Sequence, residues 1–128
     1  MNLRDAVEAD AGRLASLTDT PRDVMRNLVH DRTVRVIEDE AEIRGFVSYD
    51  ARESTVYITQ LEGDSESYPA LLGEPIRFAQ TEGMAVELLI PENTPEQREA
   101  AMDAGFKRTG RGPRFDGEAT MRYRIETP

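Results

Sequence analysis

The chain has 128 residues, enough for one domain with a core of its own. The absence of cysteine excludes a disulfide framework, a thiolate metal site and a thiol nucleophile, and the single histidine, His30, excludes a His-rich metal site, so no metal is expected. Twenty-five acidic residues against 16 basic ones give a net charge of −9, which disfavours binding to nucleic acid.

All but one of the basic residues are arginine, the exception being Lys107. An acid-rich, lysine-poor chain has the composition expected of a halophilic protein: in ~1 M salt the Debye length falls to ~3 Å, so a dense carboxylate surface keeps the protein soluble without tearing it apart. An ordinary acidic protein is the alternative. The first residues, MNLRDAVEADAG, contain no apolar signal core, and no apolar run approaches membrane-spanning length, so no membrane partner and a cytoplasmic location are the expectation.

In chain order, Asn2 to Ala6 alternates as a short first strand, and Glu8 to Leu17 has the apolar spacing of a modest helix. Thr20-Pro21-Arg22-Asp23 is a helix-capping signature, followed by Val24, Met25, Leu28 and Val29 on one face. Thr33 to Glu38, Ile43 to Asp50 and Thr55 to Leu61 read as three strands with connections short enough for an antiparallel meander. Tyr68 to Gly83 is helical in pattern, with a break or kink expected near Gly73 to Pro75 because proline lacks the helical N–H and clashes with the preceding turn. Ala85 to Ile90 is a nearly continuous apolar run, the mark of a strand buried on both faces. Thr94, Pro95 and Gln97 form a capping-box pattern that predicts a helix from Pro95 to Ala104, closed by Gly105 and Phe106. Phe106 to Thr109 is a short strand, Arg108 to Gly117 a loop rich in Gly and Arg, and Ala119 to Glu126 a final strand.

The stretch from Ala85 to Gly110, AVELLIPENTPEQREAAMDAGFKRTG, resembles the late β-α-β segment of the GNAT superfamily, the acyl-CoA-dependent N-acyltransferases. The predicted order over the whole chain, β-α-α-β-β-β-α-β-α-β-β, is similar to that superfamily's order as well. The resemblance implies an α+β fold over residues 1–128: a mixed central sheet with an antiparallel meander and about four flanking helices. It also implies acetyl-CoA as cosubstrate and an amine as acceptor, either a small molecule or a protein N-terminus or lysine. A self-complementary exposed sheet edge would allow a homodimer.

In that superfamily a Gln/Arg-x-x-Gly-x-Gly/Ala loop, between the last meander strand and the central helix, wraps the pyrophosphate of the acyl-CoA. The equivalent stretch here, Leu61 to Leu72, has no arginine and one early glycine, Gly63, with carboxylates at Glu62, Asp64 and Glu66. Gly63, Asp64 and Ser65 are candidate cofactor-binding residues through their backbone N–H groups. Alternatively, Asp64, Ser65 and Ser67 simply cap the helix. The family's tyrosine general acid would fall at Ala101 and is missing. Asn93 falls near the asparagine that contacts the pantetheine arm, or is a plain turn residue. Backbone N–H groups near Leu61 would polarise the thioester carbonyl. Glu87, the only charge in the Ala85 to Ile90 run, is the candidate general base, or else pairs with an arginine. Gln60 and Tyr49 lie in the meander where an acceptor cleft would open, or are packing residues. The Arg111 to Gly117 loop either binds an anion or pairs with nearby acids. The alternative function is a GNAT-like fold that has lost catalysis and serves as a ligand-binding or protein-interaction module.

Overall fold

The computed structural model describes residues 1–127. Strand β1 (Asn2–Asp5) leads through a single 3-10 turn to helices α1 (Ala11–Thr18) and α2 (Arg22–Asp31). Strands β2 (Thr33–Asp39), β3 (Glu42–Arg52) and β4 (Thr55–Gly63) form the meander, followed by a 3-10 turn (Ser65–Ser67) and helix α3 (Tyr68–Glu82). Then come β5 (Ala85–Pro91), α4 (Pro95–Asp103), β6 (Lys107–Arg111) and β7 (Thr120–Ile125). The seven strands make one mixed sheet in the order β1-β2-β3-β4-β5-β7-β6, antiparallel throughout except for the parallel pair β4–β5. The expected α+β architecture, with its meander and four flanking helices, is what the chain adopts.

Both meander turns are tight. Glu40 and Ala41 (φ 53° and 64°), and Glu53 and Ser54 (φ 49° and 68°), sit in the left-handed region that two-residue hairpins demand. The core is divided by the sheet. On one face α3 and α4 cover Val47, Val56, Ile58, Leu61, Leu71, Leu72, Val86, Leu88, Ile90 and Phe106. On the other, α1 and α2 cover Val34, Val36, Ile43 and Phe46 with Leu14 and Met25. Glu87 and Leu89 of β5 alternate with buried Val86, Leu88 and Ile90, so they point to the α1–α2 side of the sheet.

Three sequence expectations need correction. Helix α3 runs unbroken through Gly73 and Pro75. Pro75 is itself buried, with Leu71, Leu72 and Ala79, so packing against the sheet outweighs the one helical hydrogen bond that proline cannot make. The capping box at Thr94 does not form: the Thr94 hydroxyl donates to the Pro91 carbonyl at 2.8 Å, and Gln97 reaches elsewhere. At the start of α2 the Thr20 hydroxyl donates to the Thr18 carbonyl at 3.2 Å rather than capping, and Pro21 occupies the cap position.

Candidate active site

Strands β4 and β5 pair in register from Thr55↔Ala85 to Ile58↔Leu88 and no further. At that point β4 carries a bulge. Its register against β3 jumps from Tyr49↔Ile58 to Ser48↔Gln60, leaving Thr59 as the extra residue, its hydroxyl 2.6 Å from that of Ser48. The bulge flips the alternation of the strand. Leu61 turns into the α3–α4 core, and Gln60 and Glu62 turn to the opposite face. Past the bulge, β4 and β5 splay apart around a cleft of about 670 Å³ that crosses the sheet. Tyr57, Glu87, Arg122 and the loop residues Pro113 and Phe115 line its α1–α2 side; Leu61, Thr94 and Gln97 line its α4 side.

On the α4 side the Gln97 amide donates to the Leu61 carbonyl at 2.8 Å. That carbonyl therefore points away from β3 and into the splay, and the Leu61 N–H lies on the same strand edge. Behind Gln97, burial pushes the Tyr68 hydroxyl above its ordinary pKa, contact with Gln97 pulls it back, and the carboxylates of Glu62, Glu96 and Asp64 push it up again.

On the other side the cleft holds two carboxylates in contrasting states. Glu87 lies between two guanidinium groups, 3.6 Å from Arg122 and 3.3 Å from Arg124. Glu62 has no ion-pair partner among the described residues, and burial holds its pKa above the ordinary glutamate value. Gln60 also lines the cleft, and its Oε1 is buried without a partner.

The remaining expected residues divide clearly. Leu61 lies at the splay. Gly63 faces Gly45 across the β3–β4 ladder with φ +118°, and an added Cβ would collide with the Arg44 backbone; its freedom serves the exit from the sheet. The Asp64 N–H donates to the Arg44 carbonyl at 3.0 Å, so it is not a free donor for a phosphate. Ser65 opens the 3-10 turn, and neither it nor Asp64 makes a side-chain cap. The Ser67 hydroxyl closes the turn by donating to the Asp64 carbonyl at 2.6 Å. Asn93 is exposed in the turn after β5, outside the cleft lining. Tyr49 is on the α3–α4 side of the sheet, in a separate 320 Å³ depression with Arg35, Glu74 and Phe78, so it does not join Gln60. His30 sits at the end of α2, 3.4 Å from Glu8. Ala101 is a fully buried residue of α4, and its methyl group is not part of the cleft lining. Arg111 and Arg114 have no carboxylate within 4.0 Å among the described residues, and Arg114 donates to the Gly117 carbonyl at 2.9 Å. An unbulged β4 would turn Glu62 toward the α3–α4 core, so the sequence by itself does not place it in the cleft. No group of three or more metal-ligating side chains gathers among the described residues. No helix there is long and apolar enough to cross a membrane.

The chain has the fold of the GNAT acetyltransferases. A protein assigned to the GNAT acetyltransferase family from Desulfovibrio desulfuricans matches at 18% identity over 98% of each chain, TM-score 0.78. The ribosomal-protein-alanine N-acetyltransferase of Brucella melitensis matches at 16% identity over 98% of this chain and 99% of its own, TM-score 0.81. A Salmonella typhimurium protein, described as an acetyltransferase and solved with its cofactor acetyl-CoA, matches at 15% identity over 98% of this chain and 93% of its own, TM-score 0.82. No protein-family model matches the sequence, and no curated protein does.

Proposed function

We propose that the protein is a GNAT-type N-acetyltransferase that transfers the acetyl group of acetyl-CoA to an amine. The observation that carries this reading is the splay of β4 from β5 at the Thr59 bulge, which opens a cleft through the sheet beside the Leu61 backbone. The reading is supported by the opening on the α4 side, a route for a narrow thioester arm, and by the Salmonella protein of the same fold, solved with acetyl-CoA.

Acetyl-CoA supplies the acetyl group as a thioester: the acceptor nitrogen bonds the carbonyl carbon, the carbon–sulfur bond breaks, and the thiolate leaves. The Leu61 N–H is the donor for the carbonyl oxygen as negative charge develops on it. Glu62, unpaired and with a raised pKa, accepts the proton that the amine nitrogen gives up. Glu87 was the expected base; held by Arg122 and Arg124, it is better suited to orienting those two side chains. Of the expected cofactor contacts, we retain Leu61 and the Ser65 backbone.

A second reading, a GNAT-like module that binds ligand or protein without catalysis, has its own support. Gln97 bridges to Leu61 where the arm would lie, and carboxylates crowd the N-terminus of α3. Thermal unfolding with and without millimolar acetyl-CoA separates the two. A ligand of the folded state at 100 times its Kd stabilises by about 2.7 kcal/mol, a shift of several degrees. No shift would sink the transferase reading. For acceptors we favour a soluble amine in the cytoplasm over nucleic acid or membrane, given the net charge of −9. We also propose that the lysine-poor acidic surface is a salt adaptation, tested by a melting point that rises with molar KCl.

A further inference from the structure

We infer that the acceptor is an amine that also carries a carboxylate on an apolar body, an amino acid with an apolar side chain or a close analogue. This inference rests on the transferase reading and specifies its second substrate.

The argument starts from charge. In a chain of net charge −9, the cleft wall on the α1–α2 side carries guanidinium groups beside its carboxylates. Arg52, 3.8 Å from Asp50, and Arg122 line it; Arg111 ends β6, and Arg114 stands with Asp116 and Glu118 in the loop that brings Pro113 and Phe115 over it. Glu62 and Glu87 are the two carboxylates of the lining. Glu87 is matched by Arg122 and Arg124, and Glu62 lies half-buried beyond the bulge.

Arg122 is placed to receive an anion. It sits opposite Leu89 in the β5–β7 ladder, one residue past the last β4–β5 pair. Its Nε lies 3.6 Å from Glu87 and its Nη1 donates to the Arg111 carbonyl at 3.3 Å, which fixes the guanidinium and leaves Nη2 without a partner among the described residues. The side chain is partly exposed, at 39%. A planar, oriented guanidinium matches a carboxylate better than any other small group. Arg52 stacks over the Tyr57 ring at 4.7 Å on the far wall.

The spacing fits as well. Arg122 is two strands from the β4 edge that carries Glu62, roughly 10 Å at ordinary strand spacing. The arginine side chain covers much of that distance. A carboxylate held at Arg122 therefore leaves an amine a few bonds away directed at the splay. Tyr57, Leu89, Pro113 and Phe115 give the rest of such a molecule apolar walls.

The test uses the full chain with 1 mM acetyl-CoA and follows thiol release. The acceptors are leucine, methionine, phenylalanine and tryptophan, each beside its carboxamide and its decarboxylated amine, with spermidine as a polycation. At least one amino acid should exceed its amide and its amine by tenfold or more in kcat/KM. Arg122→Ala should collapse that ratio toward one, mainly through KM, and Arg52→Ala should lower it less. Amides or amines used equally well, a preference for spermidine, or a ratio untouched by Arg122→Ala would overturn the inference. So would acetyl-CoA binding with none of the amino acids accepted.

A separate arm needs no turnover: the same amino acids, without acetyl-CoA, should raise the melting temperature where their decarboxylated amines do not. Equal shifts, or none, would overturn the acceptor assignment. A missing shift with acetyl-CoA strikes at the transferase reading alone.

Discussion

The two ends of the proposed acetyl-CoA track contrast sharply. At the β4–β5 splay lie the groups that the proposed thioester chemistry uses: a bulge, a strand edge at Leu61 whose carbonyl accepts from Gln97, and an unpaired half-buried carboxylate at Glu62. At the N-terminus of α3, where a pyrophosphate would sit, the chain offers a 3-10 turn whose Asp64 N–H is already bonded and whose side chains are acidic. Both ends grow from the same strand. The bulge at Thr59 shapes the first, and Gly63 facing Gly45 shapes the second. A scaffold can therefore keep its reaction cleft while the anchor for the rest of the ligand is rebuilt.

The largest expected effect is on the cleft. Glu62→Gln should reduce kcat/KM about 100-fold and remove the acid limb of its pH profile, the usual signature of losing a general base. Stability should move the other way. Burial raises the Glu62 pKa in the folded state, so the neutral form is the one folding prefers. Stability is then fully retained below the unfolded glutamate pKa and is lost as pH rises through the folded value. The variant should be more stable than the parent at pH 8 and equal to it near pH 3, as read from urea midpoints. A variant that is less stable at pH 8 and unaltered in rate would make Glu62 a packing residue.

Nearly as large is the expected cost of Gly63→Ala. Positive φ and a collision with the Arg44 backbone together should remove about 3 kcal/mol of stability. Its folded fraction should bind acetyl-CoA as the parent does, because Gly63 shapes the exit from the sheet and contacts no phosphate. Lost affinity at unchanged stability would return Gly63 to the cofactor site.

These two residues illustrate what the sequence could and could not reveal. The order of strands and helices was legible because period-2 alternation in Thr33 to Glu38 and Thr55 to Leu61, short polar turns, and the apolar run at Ala85 to Ile90 are local signals. The site was less so. A bulge has no sequence signature, and the one at Thr59 decides which face Glu62 occupies. Gln97 carried a strong local capping signal, and a long-range bond to Leu61 prevailed over it. Glu87 stands out in the sequence as the lone charge of an apolar run. Its two arginine partners come from β7, more than thirty residues later.

The phosphate end should respond more modestly, and with an unusual sign. A carboxylate about 5 Å from a phosphate costs about 0.8 kcal/mol at the dielectric of water, several-fold in affinity for each charge. Affinity for acetyl-CoA should hence rise as KCl increases, where screening of an attractive site would lower it. Asp64→Ser and Glu66→Ser should each improve binding at low salt and lose their advantage in molar salt, measured by calorimetry. Affinity that falls with salt in the parent would mean that cations outside the α3 turn hold the phosphates.

The smallest effect asks whether Gln97 blocks the cleft or supports it. Its amide satisfies the Leu61 carbonyl at 2.8 Å, the group that an entering amide-bearing arm would also seek. The exchange replaces one hydrogen bond with another, and a typical net hydrogen bond is worth only about 1 kcal/mol. Gln97→Ala should accordingly tighten acetyl-CoA binding by up to about fivefold. It should also cost a little stability, because the Leu61 carbonyl loses its partner and the contact with Tyr68 disappears. If binding weakens instead, Gln97 belongs to the ligand's own contacts, and the crowding at this end of the cleft no longer favours the module without catalysis.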